Sequence, residues 1–274
     1  METNMNYQML VLDLDGTLTN SRKELTEPTR QALIEIQEAG KKVVLASGRP
    51  TYGIVPLAEA LNLSKYGSYI LSFNGGRITQ CSSNKVIYDR VLPKEVIGPI
   101  FEIASTYPDV DIMTYENEYI ITGLTHNEYT DKEAFLNKMK VRRVDNFVDY
   151  ITFPINKLLI TGEPEVLEKL MAQLQRKYNK YLSIYRSEAF FLEIMPKNID
   201  KALSLQRLLN SIGMKANSMI CCGDGYNDIS MIEFAGLGVA MENAKPLVKE
   251  SANFITKSND DEGILFVINE FMRS

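Results

Sequence analysis

Met9-Leu10-Val11-Leu12-Asp13-Leu14-Asp15-Gly16-Thr17-Leu18 is the stretch whose reading decides the fold. An apolar run, Met9 to Leu12, drives into two aspartates spaced one apart, and a glycine and a threonine follow at once. Short all-apolar runs read as buried strands of a parallel sheet, because such strands are covered on both faces. In open α/β sheets the chemistry sits outside the carboxyl ends of the strands. Asp13 and Asp15 are therefore expected at a strand end beside a crevice, with Gly16 opening a turn. Alternation along an extended chain sends both carboxylates to similar sides and Leu14 into the core. An Asp-Gly pair taken alone is also an ordinary polar turn, so the weight comes from the rest of the chain.

Downstream of this strand, Thr26 reads as an N-cap, with Pro28 in a first helical turn and Glu27 complementing the helix dipole. Ala32, Leu33, Ile36 and Ala39 recur at helical spacing, and Gly40 ends the helix. Lys42 to Ala46 reads as a second strand ending at Ser47-Gly48-Arg49-Pro50. A helix follows over roughly Thr51 to Leu61. Tyr69 to Phe73 is a third strand, ending at Asn74-Gly75-Gly76. This alternation predicts a parallel sheet with right-handed crossovers. The pattern returns near Asp200: a helix over Ala202 to Leu209 capped by Gly213, a strand over Ser218 to Cys222, then Gly223-Asp224-Gly225-Tyr226-Asn227-Asp228. A helix to Ala235, a strand at Gly238 to Met241, a helix over Ala244 to Glu250, a short strand at Phe254-Ile255 and a final helix over Glu262 to Met272 complete it.

Between these halves the character changes. Arg77 to Leu92 reads as a hairpin around Ser82-Ser83-Asn84. Helices are expected over Glu95 to Ser105 and Glu163 to Tyr178. Strands are expected within Ile112 to Thr122 and over Lys157 to Thr161, Leu182 to Tyr185 and Phe190 to Ile194. The fold class is therefore α/β, a doubly wound Rossmann-like parallel-sheet core (residues 1–84 and 194–274) with an inserted α+β cap domain (residues 85–193).

Composition narrows the function. The 274 residues are 45% hydrophobic and 24% charged, as in an ordinary globular protein. The net charge of −5 argues against a nucleic-acid binder, whose phosphate contacts need a basic face. Three cysteines form no even framework, and Cys221 and Cys222 sit in an apolar run as buried thiols. A reducing, cytoplasmic setting fits that usage. The start, Met1-Glu2-Thr3-Asn4, lacks a basic region followed by an apolar one, so no signal peptide is expected, and no stretch approaches a membrane span. A single histidine, His126, with no cysteine near it, argues against a zinc site of the usual nitrogen and sulfur kind.

Four polar clusters thus stand at predicted strand ends or helix starts: Asp13 with Asp15, Ser47 with Gly48, Lys201, and Asp224 with Asn227 and Asp228. A doubly wound sheet brings such positions to one edge. Here the chain resembles a phosphatase of the haloacid dehalogenase (HAD) superfamily. Asp13-Leu14-Asp15-Gly16-Thr17 resembles its first motif, Ser47 its second, Lys201 its third and Gly223 to Asp228 its fourth. The insertion resembles the large α/β cap of the Cof-type subgroup, and Asn74-Gly75-Gly76 an element just before that cap.

The resemblance implies that Asp13 is a nucleophile forming an aspartyl phosphate. It implies that Asp15 protonates the leaving oxygen and then deprotonates the attacking water. Clustered carboxylates are costly unless a cation offsets them, and a hard ion such as Mg²⁺ suits oxygen ligands. The family assigns that ion to Asp13, the Asp15 carbonyl and Asp224, with Asp228 acting through water or orienting the site. Ser47 and the N–H groups near Gly48 would hold the phosphoryl group, and Lys201 would neutralise it. Asn74 and Asn227 join the substrate contacts, and Asn227 is also read as starting the following helix. Lys197 is a rival to Lys201, but the resemblance, through the family's spacing before Ala202-Leu203, selects Lys201. Asn198 and Ala202 stand where the subgroup often has glycine, and Ser47 where threonine is commoner. Arg49 reads as a structural ion pair rather than a phosphate contact. Tyr115, Glu116, His126 and Arg186 in the cap read equally well as ordinary residues.

The resulting expectation is a Mg²⁺-dependent phosphatase of small phosphorylated metabolites, sugar phosphates first, existing as a monomer or homodimer without nucleic-acid or membrane partners. The alternatives are a phosphomutase of the same superfamily and a non-catalytic metabolite-binding domain. A dehalogenase would leave Asp15 without a role.

Overall fold

The computed structural model describes residues 7–273; the start of the chain, where no signal peptide is expected, lies outside them. Its strands, in chain order, begin with Met9–Leu12 (β1), Lys42–Ala46 (β2), Tyr69–Ser72 (β3), Arg77–Gln80 (β4) and Lys85–Asp89 (β5). Then come Asp111–Glu116 (β6), Tyr119–Thr122 (β7), Lys140–Arg143 (β8), Leu158–Thr161 (β9), Leu182–Glu188 (β10) and Phe191–Pro196 (β11). Met219–Gly223 (β12), Leu237–Ala240 (β13) and Phe254–Ile255 (β14) close the series.

The chain separates into two compact units, one made of residues up to Tyr88 and from Asp200 onward, the other of Asp89–Ile199. The first unit is built on a sheet of order β14-β13-β12-β1-β2-β3-β4-β5. From β14 to β3 every pairing is parallel, and β4 runs antiparallel to β3. β5 extends this sheet beyond β4, which is why the first unit runs past residue 84. Successive strands leave β1 in opposite directions, β2 and β3 on one side and β12 to β14 on the other, so the topology reverses at β1 and β12. A crevice at the carboxyl ends is expected there.

Both faces of β1 are covered. Leu10 and Leu12 enter one apolar cluster with Leu14, while Met9 and Val11 enter the other. β12 repeats this, Ile220 and Cys222 facing one way and Met219 and Cys221 the other. The two thiols thus lie on opposite faces, and burial pushes both up in pKa, leaving them unreactive. The expected cap at Thr26 is absent: the helix Glu27–Glu38 begins there, but no side chain caps it. Instead the Thr26 and Thr29 hydroxyls donate to Glu262 Oε2, at 2.9 and 2.6 Å.

The second unit carries a sheet of order β10-β11-β9-β6-β7-β8. Pairing is antiparallel from β10 to β7 and parallel between β7 and β8. Helices Ile97–Ser105 and Pro164–Tyr178 bury their apolar residues in the larger of its clusters. The sequence reading assigned nothing between Thr122 and Lys157, where the structure has helices Glu128–Asn137 and Phe147–Tyr150 as well as β8. Among the described residues no helix is long and apolar enough to cross a membrane.

Candidate active site

Asp13 follows the last residue of β1, and its backbone N–H donates to the Cys222 carbonyl at 3.1 Å. Its Oδ1 accepts Lys201 Nζ at 2.6 Å. The same ammonium donates to the Ala46 carbonyl at 2.7 Å and to Asp228 Oδ1 at 2.6 Å. These acceptors use every N–H of an ammonium that is 0% exposed. Lys201 opens the helix Lys201–Ile212, whose N-terminus a right-handed crossover delivers to the carboxyl edge of the sheet. Asp200 caps that helix, its carboxylate accepting the Leu203 N–H at 2.8 Å. Burial opposes the charge on Lys201, but the carboxylates of Asp13 and Asp228 outweigh it and raise its pKa. Burial lifts Asp13 well above the usual carboxylate range; Asp228 and Asp224 add to the rise and Lys201 works against it.

Asp15 is held differently. Arg49 forks onto it, Nε to Oδ2 at 2.8 Å and Nη2 to Oδ1 at 2.6 Å. Lys23 Nζ reaches Oδ1 at 2.9 Å. Burial pushes this carboxyl up, but Arg49 and Lys23 together more than offset it, and it stays below its usual value. Arg49 is thus the ion-pair partner expected. Lys23 is new: it lies on an exposed turn with φ +64°, and the one cue in the sequence is the basic pair Arg22-Lys23 just after the first motif.

The loop after β12 faces this pair. Thr17 Oγ1 donates to Asp224 Oδ1 at 2.9 Å. Gly16 has φ +83°, and a Cβ there would stand 2.5 Å from Asp224 Oδ2. Both the left-handed turn and the close approach of the two loops therefore require glycine. Asp228 is buried with both oxygens engaged: Oδ1 takes Lys201, and Oδ2 accepts the N–H groups of Asp224 at 3.0 Å and Gly225 at 2.9 Å. A Cβ on Gly223 would meet Asp228 Cβ at 2.4 Å.

Asn227 does not start the helix as expected. It lies inside the single turn Tyr226–Asp228, and its amide donates to Asn74 Oδ1 at 3.1 Å. The helix Ile229–Phe234 has no side-chain cap at all, because the Asp228 carboxylate before it turns to Lys201 and to the N–H groups of Asp224 and Gly225. Asn74, in the left-handed region at φ +54°, donates its N–H to the Ser47 carbonyl at 2.9 Å. Ser47 is buried, and its Oγ accepts the Arg49 N–H at 3.2 Å. Gly48 lets Asn74 approach, since a Cβ would lie 3.1 Å from Asn74 Oδ1. The residues picked out in the core are thus gathered at the carboxyl ends of β1, β2, β3 and β12. Lys201, and not Lys197, bonds Asp13.

In the second unit, Tyr115 donates to Glu133 and His126 pairs with Asp131. Glu116 accepts from Tyr150, and Arg186 donates to the Pro164 carbonyl. Each of the four has a partner inside its own unit.

Asp13, Asp224 and Asp228 each offer a carboxylate oxygen, all within 4.8 Å of one another. An all-oxygen, net-negative donor set of this kind suits a hard divalent cation. Asp228 is spoken for by Lys201 and two backbone N–H groups, so Asp13 and Asp224 are the better donors. Burial, with Asp228 and Asp15 adding to it, raises Asp224 to about 6. A carboxyl raised in the folded state contributes stability below its ordinary pKa of 3.8 that is lost as pH rises through about 6. In chelator, Asp224→Asn is therefore expected to stabilise the protein by roughly 1 kcal/mol at pH 7.5 and hardly at all at pH 4.5. Urea unfolding at both pH values checks this; equal effects at the two would contradict the charge account.

Known proteins share the sequence pattern and the fold of this chain. The sequence profile of the haloacid dehalogenase-like hydrolases matches residues 10–268. The crystal structure of a haloacid dehalogenase-like hydrolase from Bacteroides thetaiotaomicron is 48% identical, covers 96% of this chain and 99% of its own, and superposes with a TM-score of 0.94. The 5-amino-6-(5-phospho-D-ribitylamino)uracil phosphatase YcsE of Bacillus subtilis is 27% identical over 268 residues, 98% of this chain and 97% of its own. The subclass IIB sugar phosphatase BT4131 shares the fold, with a TM-score of 0.80 at 24% identity over 96% of this chain and 98% of its own.

Proposed function

The chain belongs to the haloacid dehalogenase-like hydrolases and is a phosphatase of their Cof-type subgroup, and on that premise we propose that it hydrolyses small phosphate monoesters, sugar phosphates first, through a phosphoryl group carried on Asp13. The observation that carries this reading is the Asp13–Lys201–Asp228 ion cluster beside the forked Arg49–Asp15 pair. A buried lysine holds one oxygen of Asp13, and among the described residues the other oxygen has no hydrogen-bond partner. A carboxylate so held is oriented for in-line attack.

In the first half-reaction that oxygen bonds to phosphorus, the ester P–O bond breaks, and Asp15 gives a proton to the leaving oxygen. In the second, Asp15 takes a proton from water, the water oxygen bonds to phosphorus, and the bond to Asp13 breaks. Arg49 and Lys23 hold Asp15 as a carboxylate, the form the second half needs. The first half needs it protonated, so their grip must loosen when substrate is bound. Ser47 Oγ and the N–H groups near Gly48 would donate to the phosphoryl oxygens. Lys201 stays charged and offsets the charge on Asp13. Asp13, the Asp15 carbonyl and Asp224 would hold Mg²⁺, which as a Lewis acid offsets charge on the phosphoryl group. A cytoplasmic protein with a small phosphorylated metabolite as its partner, as a monomer or homodimer, fits this role.

The test is release of inorganic phosphate from sugar phosphates, nucleotides and p-nitrophenyl phosphate, with Mg²⁺ and with chelator. Metal-dependent release is expected, strongest on a sugar phosphate. An isomeric phosphate ester in place of inorganic phosphate would move the assignment to a mutase. No turnover of any ester would leave a binding domain.

A further inference from the structure

Two loops that carry like charge have to be held close together. Asp13 and Asp15 follow β1, and Asp224 and Asp228 follow β12. The strands are tied by the Leu12–Cys222 register and by the Asp13 N–H on Cys222. Beyond that point Thr17 Oγ1 on Asp224 links the loops, and it occupies a carboxylate oxygen to do so. Lys201 Nζ also joins Asp13 Oδ1 to Asp228 Oδ1, but it makes no bond to Asp224, whose carboxylate and that of Asp13 repel one another without a cation between them.

The turn after β13 touches both loops from behind. Met241 donates its N–H to the Gly223 carbonyl, and Lys245 donates its own to the Asp224 carbonyl, each at 3.1 Å. Between them, Asn243 Nδ2 donates to the Gly16 carbonyl at 2.8 Å. The amide of Asn243 is itself fixed, because its Oδ1 accepts the Asn259 N–H at 3.0 Å. Asn259 Nδ2 in turn donates to the Thr19 carbonyl at 3.0 Å. Residues 241–245 and Asn259 therefore bridge the segment Gly16–Thr19 to the backbone of Gly223 and Asp224, while touching none of the carboxylates.

The place gripped on the first loop is its left-handed glycine, whose following peptide is otherwise held by the long 3.4 Å bond from the Thr17 N–H to the Leu14 carbonyl. Gly16 lacks a Cβ and sits at φ +83°, so sterics restrain its peptide less than at any residue with a Cβ. Turning that peptide moves the Asp15 carbonyl on one side and the Thr17 hydroxyl on the other. Asn243 is exposed, and an exposed neutral hydrogen bond adds little to global stability. Its consequence is local geometry.

We infer that Asn243 is a positioning residue: with Asn259 behind it, it braces the Asp13–Thr17 loop against the Asp224 loop and sets the spacing at which their oxygens share a divalent cation. This deepens the metal assignment proposed above and rests on it. Residues that orient metal ligands are commonly worth about 10- to 100-fold in metal affinity.

The experiment measures Mn²⁺ binding directly, by electron paramagnetic resonance of the free ion, on the full chain without substrate. Asn243→Ala is expected to bind Mn²⁺ about tenfold more weakly than the parent, with a thermal midpoint in chelator within about 2 °C of it. Asn243→Asp, which retains the shape but cannot donate to Gly16 and sets a carboxylate against its carbonyl, is expected to bind more weakly still. Asn259→Ala, which unlocks Asn243 from a distance, is expected to lose about threefold, and it carries the test should Asn243→Ala not fold. Unchanged affinity in Asn243→Ala, or in Asn259→Ala where that variant stands in, overturns the brace. So does a loss of affinity that only tracks a fall in thermal midpoint. A parent protein that binds no Mn²⁺ overturns the metal reading and this inference together, which separates the two failures.

Discussion

Asp13→Asn is expected to abolish phosphate release, by at least ~10⁴-fold in kcat, while the fold survives. The amide matches the carboxylate in shape but is too poor a nucleophile to take the phosphoryl group. The side chain is 6% exposed and already pushed toward its neutral form by burial, by Asp228 and by Asp224. Replacing it with a neutral isostere therefore removes a strained charge, and Lys201 keeps Asp228 and the Ala46 carbonyl as acceptors. Chelator-treated Asp13→Asn should consequently melt no lower than the parent protein. Single-turnover phosphate release, paired with thermal melts, reads both halves of the expectation. Activity within tenfold of the parent in a folded Asp13→Asn protein would eliminate Asp13 as the nucleophile.

Lys201→Met should have the largest effect on stability, about 3–5 kcal/mol, because it leaves buried carboxylates without their cation. Met has nearly the volume of the lysine stem, so the loss is mainly electrostatic. The pH dependence follows from the sign. A carboxylate whose pKa is raised in the folded state contributes stability below its unfolded pKa, and that stability is lost as pH rises through the folded pKa. Asp13 is already raised with Lys201 present and must rise further without it. The defect of Lys201→Met should therefore be greatest near pH 7.5 and shrink toward pH 4.5. Urea unfolding in chelator at the two pH values measures it. A loss independent of pH would trace the cost to packing, and a loss under 1 kcal/mol would mean that the ion cluster hardly supports the fold. Activity should fall as it does in Asp13→Asn, since the nucleophile loses the ammonium that holds one of its oxygens and offsets its charge.

How much of this was legible in the chain differs from element to element. The core strands were, because a strand buried on both faces must be apolar at every position, and Met9–Leu12 and Met219–Gly223 are. The aspartates after them could be placed because a doubly wound sheet brings carboxyl ends to one edge. The helix Glu128–Asn137 was not legible. It buries Thr130, Glu133 and Asn137 rather than an apolar stripe, and the partners that make those groups tolerable come from far along the chain. Thr130 Oγ1 donates to Asp111 Oδ2 at 3.0 Å, and Tyr115 donates to Glu133 at 2.7 Å. No periodicity announces such a helix; only Asn127, accepting the N–H groups of Tyr129 and Thr130, marks its start.

The candidate site divides the same way. The sequence by itself determined which residue types stand at the strand ends, and hence the family and the chemistry they can perform. That follows from local pattern, since Asp13, Asp15, Ser47, Lys201, Asp224 and Asp228 each sit at a recognisable punctuation of strand or helix. Only the tertiary structure decided which charges meet. It tied Lys201 to Asp13 and Asp228 across 188 and 27 residues, gave Asp15 to Arg49 and Lys23, turned Asn227 onto Asn74, and set Asn243 behind Gly16. Pairing of this kind depends on distance and burial, which fix whether a carboxylate keeps its proton or its partner, and neither quantity is written in the order of residues along the chain.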